Sequence, residues 1–124
     1  MEDSEIIELY WNRNESAIDE TDKKYGRYIF TIVHQILSNL EDSKECVNDT
    51  YLRTWNSIPP TRPNVFKLFL AKIGRNLALD KYNRLKAKKR NTEFEIVLSE
   101  LENFEEQLSD KNVEEEVLSN ELTN

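Results

Sequence analysis

Turn formers are scarce: two glycines and three prolines in 124 residues. Sandwiches and barrels need a turn signal about every 8 to 12 residues, so both are excluded. A single cysteine removes any internal disulfide framework and any cysteine-only metal site. The one histidine has no second nearby, which is a poor fit to zinc-binding patterns. No apolar run approaches the roughly 20 residues of a membrane span, so no membrane partner is expected. The first residues, Met1-Glu2-Asp3-Ser4, have no basic stretch followed by an apolar one, so no signal peptide is expected and the expected address is the cytoplasm. A Gly-rich phosphate loop, a Ser/His/Asp set and a metal cluster are all missing. The expectation is therefore a binding protein rather than an enzyme, with no catalytic residue, no metal and no cofactor.

What is present points to one helical domain with a charged tail. Five Phe, five Tyr and two Trp argue against a wholly disordered chain. A chain this size can bury one core without staples. The net charge of -7 hides two opposite parts. Residues 1–92 hold 16 Lys/Arg against 13 Asp/Glu, whereas residues 93–124 hold one Lys against 11 Asp/Glu. Lys81, Arg84, Lys86, Lys88, Lys89 and Arg90 lie within ten residues with no acid among them. Basic residues favour the last turn of a helix anyway, but six exceed what capping needs. The asymmetry fits a basic nucleic-acid element beside an acidic tail.

Hydrophobic spacing of three and four predicts helices throughout. Asp3 or Ser4 is expected to cap a short first helix carrying Ile6, Ile7, Leu9 and Tyr10. Asn14 is expected to cap a second that runs to about Ser38, with Tyr25, Tyr28, Ile29, Ile32, Val33, Ile36, Leu37 and Leu40 as its apolar positions and Gly26 allowing a close neighbour. Asp42 or Ser43 is the expected cap of a third, with Val47, Tyr51, Leu52 and Trp55 as its stripe. Pro59, Pro60 and Pro63 stiffen a loop over 57–64. A fourth helix is expected from about Asn64 to Arg90, striped by Phe66, Phe69, Leu70, Ile73 and Leu77. The rest reads as one or two acidic amphipathic segments joined near Ser109-Asp110. The expected fold class is all-α: a bundle of about four helices over 1–90, then an acidic, partly helical segment over 91–124. His34 is expected to be packed or half-exposed, Cys46 to be a small buried residue, and Asp80 to make a hydrogen bond.

Two stretches carry a resemblance. Residues 42–55, DSKECVNDTYLRTW, resemble the D-A-E-D-[IV]-V-Q-[ED]-[TV]-F-L-[RK]-x-W block of bacterial RNA polymerase sigma factors. Residues 69–84, FLAKIGRNLALDKYNR, resemble the same family's W-L-x-x-I-A-R-N-x-A-[IL]-D-x-x-R-[RK] block. Two blocks in the right order around a Pro-containing loop form a specific signal. The likeness spans about residues 5–90 and is to region 2 of the sigma-70 family, in its extracytoplasmic-function group. Lys44 stands where an acid is usual, Glu45 where Asp is, Cys46 for an aliphatic residue, and Asn48 for a Gln one methylene longer. The group normally continues through an acidic linker to a region 4. The chain ends where region 4 would begin, so a truncated or unusually short member is expected.

The resemblance implies the partners and the sites. On the third helix, Asp42, Glu45, Asn48, Asp49, Leu52 and Arg53 would dock on the clamp helices of the largest subunit of core RNA polymerase. A mixed face of charge and amide around an apolar anchor suits such a partner. The fourth helix and its preceding loop would hold the non-template strand of the promoter -10 element through Arg62, Asn64, Lys72, Arg75, Asn76, Lys81, Tyr82, Arg84 and Lys88. The cations follow phosphates, Tyr82 offers a stacking face, and Ser57, Arg62 and Asn64 offer donors for a flipped base. An anti-sigma factor is a further partner the resemblance allows. Two alternatives stand beside this reading. One is a free-standing region 2 that occupies the polymerase clamp as a competitor. The other is a generic helical DNA-binding protein, which leaves the 42–55 block unexplained.

Overall fold

A computed structural model describes residues 1–108, with side chains described to residue 102. Four helices follow one another: α1 (Asp3–Trp11), α2 (Ser16–Leu37), α3 (Leu40–Ser57) and α4 (Phe66–Leu108). Among the described residues there is no strand and no helix long and apolar enough to cross a membrane. The chain divides into two units, Met1–Tyr82 and the residues from Asn83 onward.

The first unit holds the core. Ile6, Ile7 and Tyr10 of α1 meet Ala17, Ile29 and Val33 of α2, with Cys46, Val47 and Tyr51 of α3, Ile58 of the loop, and Phe66, Leu70 and Ala78 of α4. Tyr10 and Phe66 pack edge to face with ring centroids 6.1 Å apart, a favoured aromatic geometry. Tyr10 also donates its hydroxyl to Thr21 Oγ1 at 2.7 Å, and Thr21 donates in turn to the Ala17 carbonyl.

The buried seam of α3 differs from the expected one. It runs Ser43, Cys46, Val47, Thr50, Tyr51 and Thr54, while Leu52 is 58% exposed and Trp55 half-buried. Short polar residues can take core positions because their hydroxyls bond one turn back: Thr50 to the Cys46 carbonyl and Thr54 to the Thr50 carbonyl, both at 2.8 Å. Their small size lets α4 approach closely. A methyl on Gly74 would lie 3.5 Å from Thr50 Oγ1, and Cys46 Sγ is 3.8 Å from the Gly74 carbonyl oxygen. The seam of α4 is accordingly Phe66, Leu70, Gly74 and Ala78, with Phe69, Ile73 and Leu77 only half-buried.

Helix starts also shift. Glu2 and Glu5 form a reciprocal capping box on α1, in place of Asp3 or Ser4. Asn14 accepts from the Ser16 backbone N–H at 3.0 Å, one residue ahead of the α2 N-cap at Glu15. On α3 the cap is Asn39, which accepts from the Asp42 N–H at 2.9 Å, so Leu40 joins α3 and is exposed. Ser43, one of the two expected caps with Asp42, is instead buried one turn in, donating to the Asn39 carbonyl and sharing a 3.1 Å hydrogen bond with His34 Nδ1. His34 is half-buried and stacks on Phe30.

In the second unit the helical residues reach Leu108, so residues 93–108, read from sequence as a separate acidic segment, belong to α4. The expected joint near Ser109-Asp110 and the apolar positions Val113, Val117, Leu118 and Leu122 lie outside the described residues.

Candidate nucleic-acid interface

The outer face of α3 exposes Glu45, Asn48, Asp49, Leu52 and Arg53, while Asp42 is half-buried. Positions 45, 48, 49 and 52 fall on one side because residues three and four apart are neighbours on a helix. Leu52 thus stands as an exposed apolar group within charge and amide. Asn48 also edges a shallow cleft of about 300 Å³ shared with Asp22, Gly26, Phe30, Lys44 and Val47. Sequence reasoning missed the α2 side of that cleft, for which spacing along α3 gives no signal.

Within the first unit, α4 exposes Leu68, Lys72, Arg75, Asn76 and Tyr82, with half-buried Leu79 between them. The i, i+4, i+7 spacing of Leu68, Lys72 and Arg75 makes a stripe that mixes cations with apolar and aromatic surface. Lys72 and Arg75 make no ion pair with a described residue. Asp80 is exposed and its carboxylate makes no hydrogen bond with a described residue, contrary to expectation. Lys81 behaves differently from its neighbours. Its Nζ sits 2.8 Å from Glu45 Oε1 and 3.8 Å from Asp42 Oδ1, and its side chain is only 14% exposed.

The 58–65 loop is fastened at both ends. Arg13, in the left-handed region at φ 55°, donates from Nη1 to the Trp55 and Ile58 carbonyls at 2.8 Å each. Its guanidinium lies 3.7 Å above the Trp55 ring. At the other end Arg62 Nη1 meets Glu8 Oε1 at 2.6 Å and covers the Trp11 ring at 4.1 Å. Ser57 is turned toward the Arg53 carbonyl at 2.7 Å. Asn64 is exposed. Between the loop and α1 lies an open cleft of about 440 Å³, lined by Ser4, Glu5, Ile7, Glu8, Arg62, Pro63 and Asn64. The α1 wall of this cleft, and Arg13 as the clasp of the loop, were not legible in the sequence. Arg13 and Glu8 meet residues more than 40 positions away, and nothing local marks such partners.

In the second unit, Arg84 and Lys88 are exposed, as are Lys86 and Lys89. None of these four pairs with a described acid.

Titration adds little chemistry. Burial, then the nearby Asp49 carboxylate, pushes the Cys46 thiol up to about 11. Burial pushes the Tyr51 phenol up, and the Asp22 carboxylate that accepts its hydroxyl at 2.6 Å adds to this. Both groups stay protonated near neutrality and lie in the core. No set of three or more His, Cys, Asp or Glu gathers around a metal-sized space among the described residues.

The first unit is thus an all-α bundle with acid and amide side chains exposed on α3 and the cations Lys72 and Arg75 exposed on α4. The family model for sigma-70 region 2 matches residues 22–88, more than half of the chain. The chain belongs to the sigma-70 family, whose members are non-enzymatic transcription initiation factors, and it carries region 2, the part involved in polymerase binding and -10 promoter recognition. No curated protein and no solved structure matches it significantly.

Proposed function

We propose that this chain is the promoter-opening module of an extracytoplasmic-function type sigma factor. It docks through Asp42, Glu45, Asn48, Asp49, Leu52 and Arg53 on the clamp helices of core RNA polymerase. It then holds the non-template strand of the -10 element along Lys72, Arg75, Asn76 and Tyr82, with Arg84 and Lys88 adding phosphate contacts. The observation that carries the reading is the division of labour within the matched region: an exposed Leu52 framed by amide and charge on α3, and Lys72 and Arg75 on α4, which have no acid partner among the described residues.

Opening follows from the physics of single strands. Cations neutralise phosphates and release counterions. An exposed ring such as Tyr82 stacks on any unpaired base, because every base has a π face. Extruding one base costs a few kcal/mol, which contacts in a pocket must offset. The cleft between α1 and the loop is the candidate pocket, with Arg62 and Asn64 as donors on one wall and the Ser4 hydroxyl and the accepting Glu8 carboxylate on the other. Arg13 ties Ile58 to the end of α3, and the Arg62–Glu8 pair at 2.6 Å joins the loop to α1 at the cleft itself. No covalent chemistry and no nucleotide hydrolysis are involved.

The test is retention on immobilised core RNA polymerase of the wild-type chain beside Asn48→Ala/Asp49→Ala. Both residues are exposed, so the fold should survive their truncation. Retention of the wild type with at least about tenfold loss in the double variant is expected of residues within a docking face. Retention of both would move the interface elsewhere on the domain. Failure of the folded wild type to bind would sink the polymerase reading and leave a generic helical DNA binder. A wild type that binds core but never opens a promoter would favour the competitor role.

A further inference from the structure

Lys81 belongs by sequence to the basic stretch of α4, yet it is held by the acids of α3. Its Nζ lies 2.8 Å from Glu45 Oε1 and 3.8 Å from Asp42 Oδ1, at a side chain 14% exposed. Lys72 and Arg75 on the same helix are exposed and have no acid partner among the described residues. An ammonium already neutralised by carboxylates releases no further counterion when a phosphate approaches. Lys81 therefore cannot serve DNA while it serves Glu45 and Asp42. Those two acids lie on the face assigned above to polymerase docking.

We propose that Lys81 is a coupling residue. In the free chain its charge is held by Glu45 and Asp42, and a partner that engages those carboxylates hands the charge to nucleic acid on α4. This inference rests on the docking and promoter reading given above. The flexible four-carbon stem of lysine lets the ammonium leave the pair without a backbone change. Coupling of this kind is reciprocal: whatever docking adds to DNA affinity, DNA adds to docking affinity. It also lowers the DNA affinity of the free chain by the fraction of time Lys81 is paired.

The test is a double-mutant cycle on the full chain, using fluorescence anisotropy with a labelled oligo-deoxythymidine of about 12 nucleotides at low ionic strength. Glu45 is 64% exposed, so Glu45→Gln removes the closer acid without opening the core. It should tighten binding about fivefold and steepen the salt slope by about 0.7, one more single-strand phosphate contact. In a Lys81→Met background, which keeps the stem and removes the charge, the same change should give less than about twofold. Equal factors in both backgrounds would overturn the proposal, since the acid would then act only through its general field. A second arm uses core RNA polymerase and a forked promoter fragment. There Lys81→Met should cost about fivefold, against less than about twofold for the free chain. Equal losses in the two settings would also overturn it. Circular dichroism checks that each variant is folded, and Lys81→Gln repeats the cycle if the methionine variant loses helicity. If core polymerase does not retain the wild type, the functional reading fails, while the cycle on the free chain still decides whether Glu45 holds Lys81. If core retains the wild type and the cycle shows equal factors, the coupling alone fails.

Discussion

Gly26 and Gly74 both sit inside helices, and their surroundings dictate opposite outcomes for the same substitution. A methyl on Gly74 would meet Ile29 Cγ2, Thr50 Oγ1 and Val33 Cγ1 at 3.4 to 3.5 Å, ordinary van der Waals contact. Gly74→Ala should therefore stabilise by roughly 0.5–1 kcal/mol, the helix-propensity difference, visible as a raised melting temperature. A methyl on Gly26 would fall 2.6 Å from Asp22 Oδ1, the oxygen that accepts the Tyr51 hydroxyl at 2.6 Å. Asp22 would have to swing away and leave the Tyr51 phenol unpaired in the core. The lost bond costs about 1–2 kcal/mol and exceeds the propensity gain, so Gly26→Ala should lower the melting temperature. The sequence reading of Gly26 as a site of close approach agrees with this geometry. Gly74 gave no such signal, because its neighbours come from α2 and α3.

At the scale of the element, helix periods were legible and helix ends were not. Asn39, Asp42 and Ser43 are all good cap residues, and the sequence offers no local reason to choose among them. The choice falls to Asn39 because Ser43 is needed inside, where its hydroxyl meets the Asn39 carbonyl and His34. Asn39→Ala should cost about 1 kcal/mol, a typical cap loss, read as a shift in denaturation midpoint at constant slope. Asn39→Asp keeps an acceptor and should lose little, since a carboxylate also suits the positive end of the helix. The stripe of α3 was misread for a related reason. Leu52, placed from sequence both in the stripe and on the outer face, lies on the outer face, and the buried side carries Thr50 and Thr54, whose hydroxyls bond back to the helix and whose small size lets it pack against Gly74.

For the whole molecule, pH and charge act on different parts. Cys46 is raised to about 11, and Tyr10 and Tyr51 are also raised, in each case first by burial. A group whose folded-state value lies above its unfolded one favours the fold while both states are protonated. That contribution is complete below the unfolded value, near 9 for the thiol, and is lost as pH rises through the folded one. Urea denaturation at pH 8, 9, 10 and 11 should therefore show stability falling across the upper half of that range. On the acid side Asp3 contributes. Burial works to raise the Asp3 carboxyl, but bonds from Lys24 and Tyr25 bring it below its usual value. Its contribution is present above the unfolded value and fades as pH falls through the lowered one.

The sequence by itself determined the all-helical class, the basic and acidic partition, the two family blocks and the side of α3 that carries Glu45, Asn48 and Asp49. These follow from composition and from the 3.6-residue period, which need no knowledge of what lies across the core. Only the tertiary structure decided that Lys81 pairs with Glu45, that Arg62 meets Glu8 over Trp11, and that Arg13 clasps the end of α3. The reason is physical: a charged side chain declares its type in the sequence, but its partner is fixed by which helices the hydrophobic core brings together.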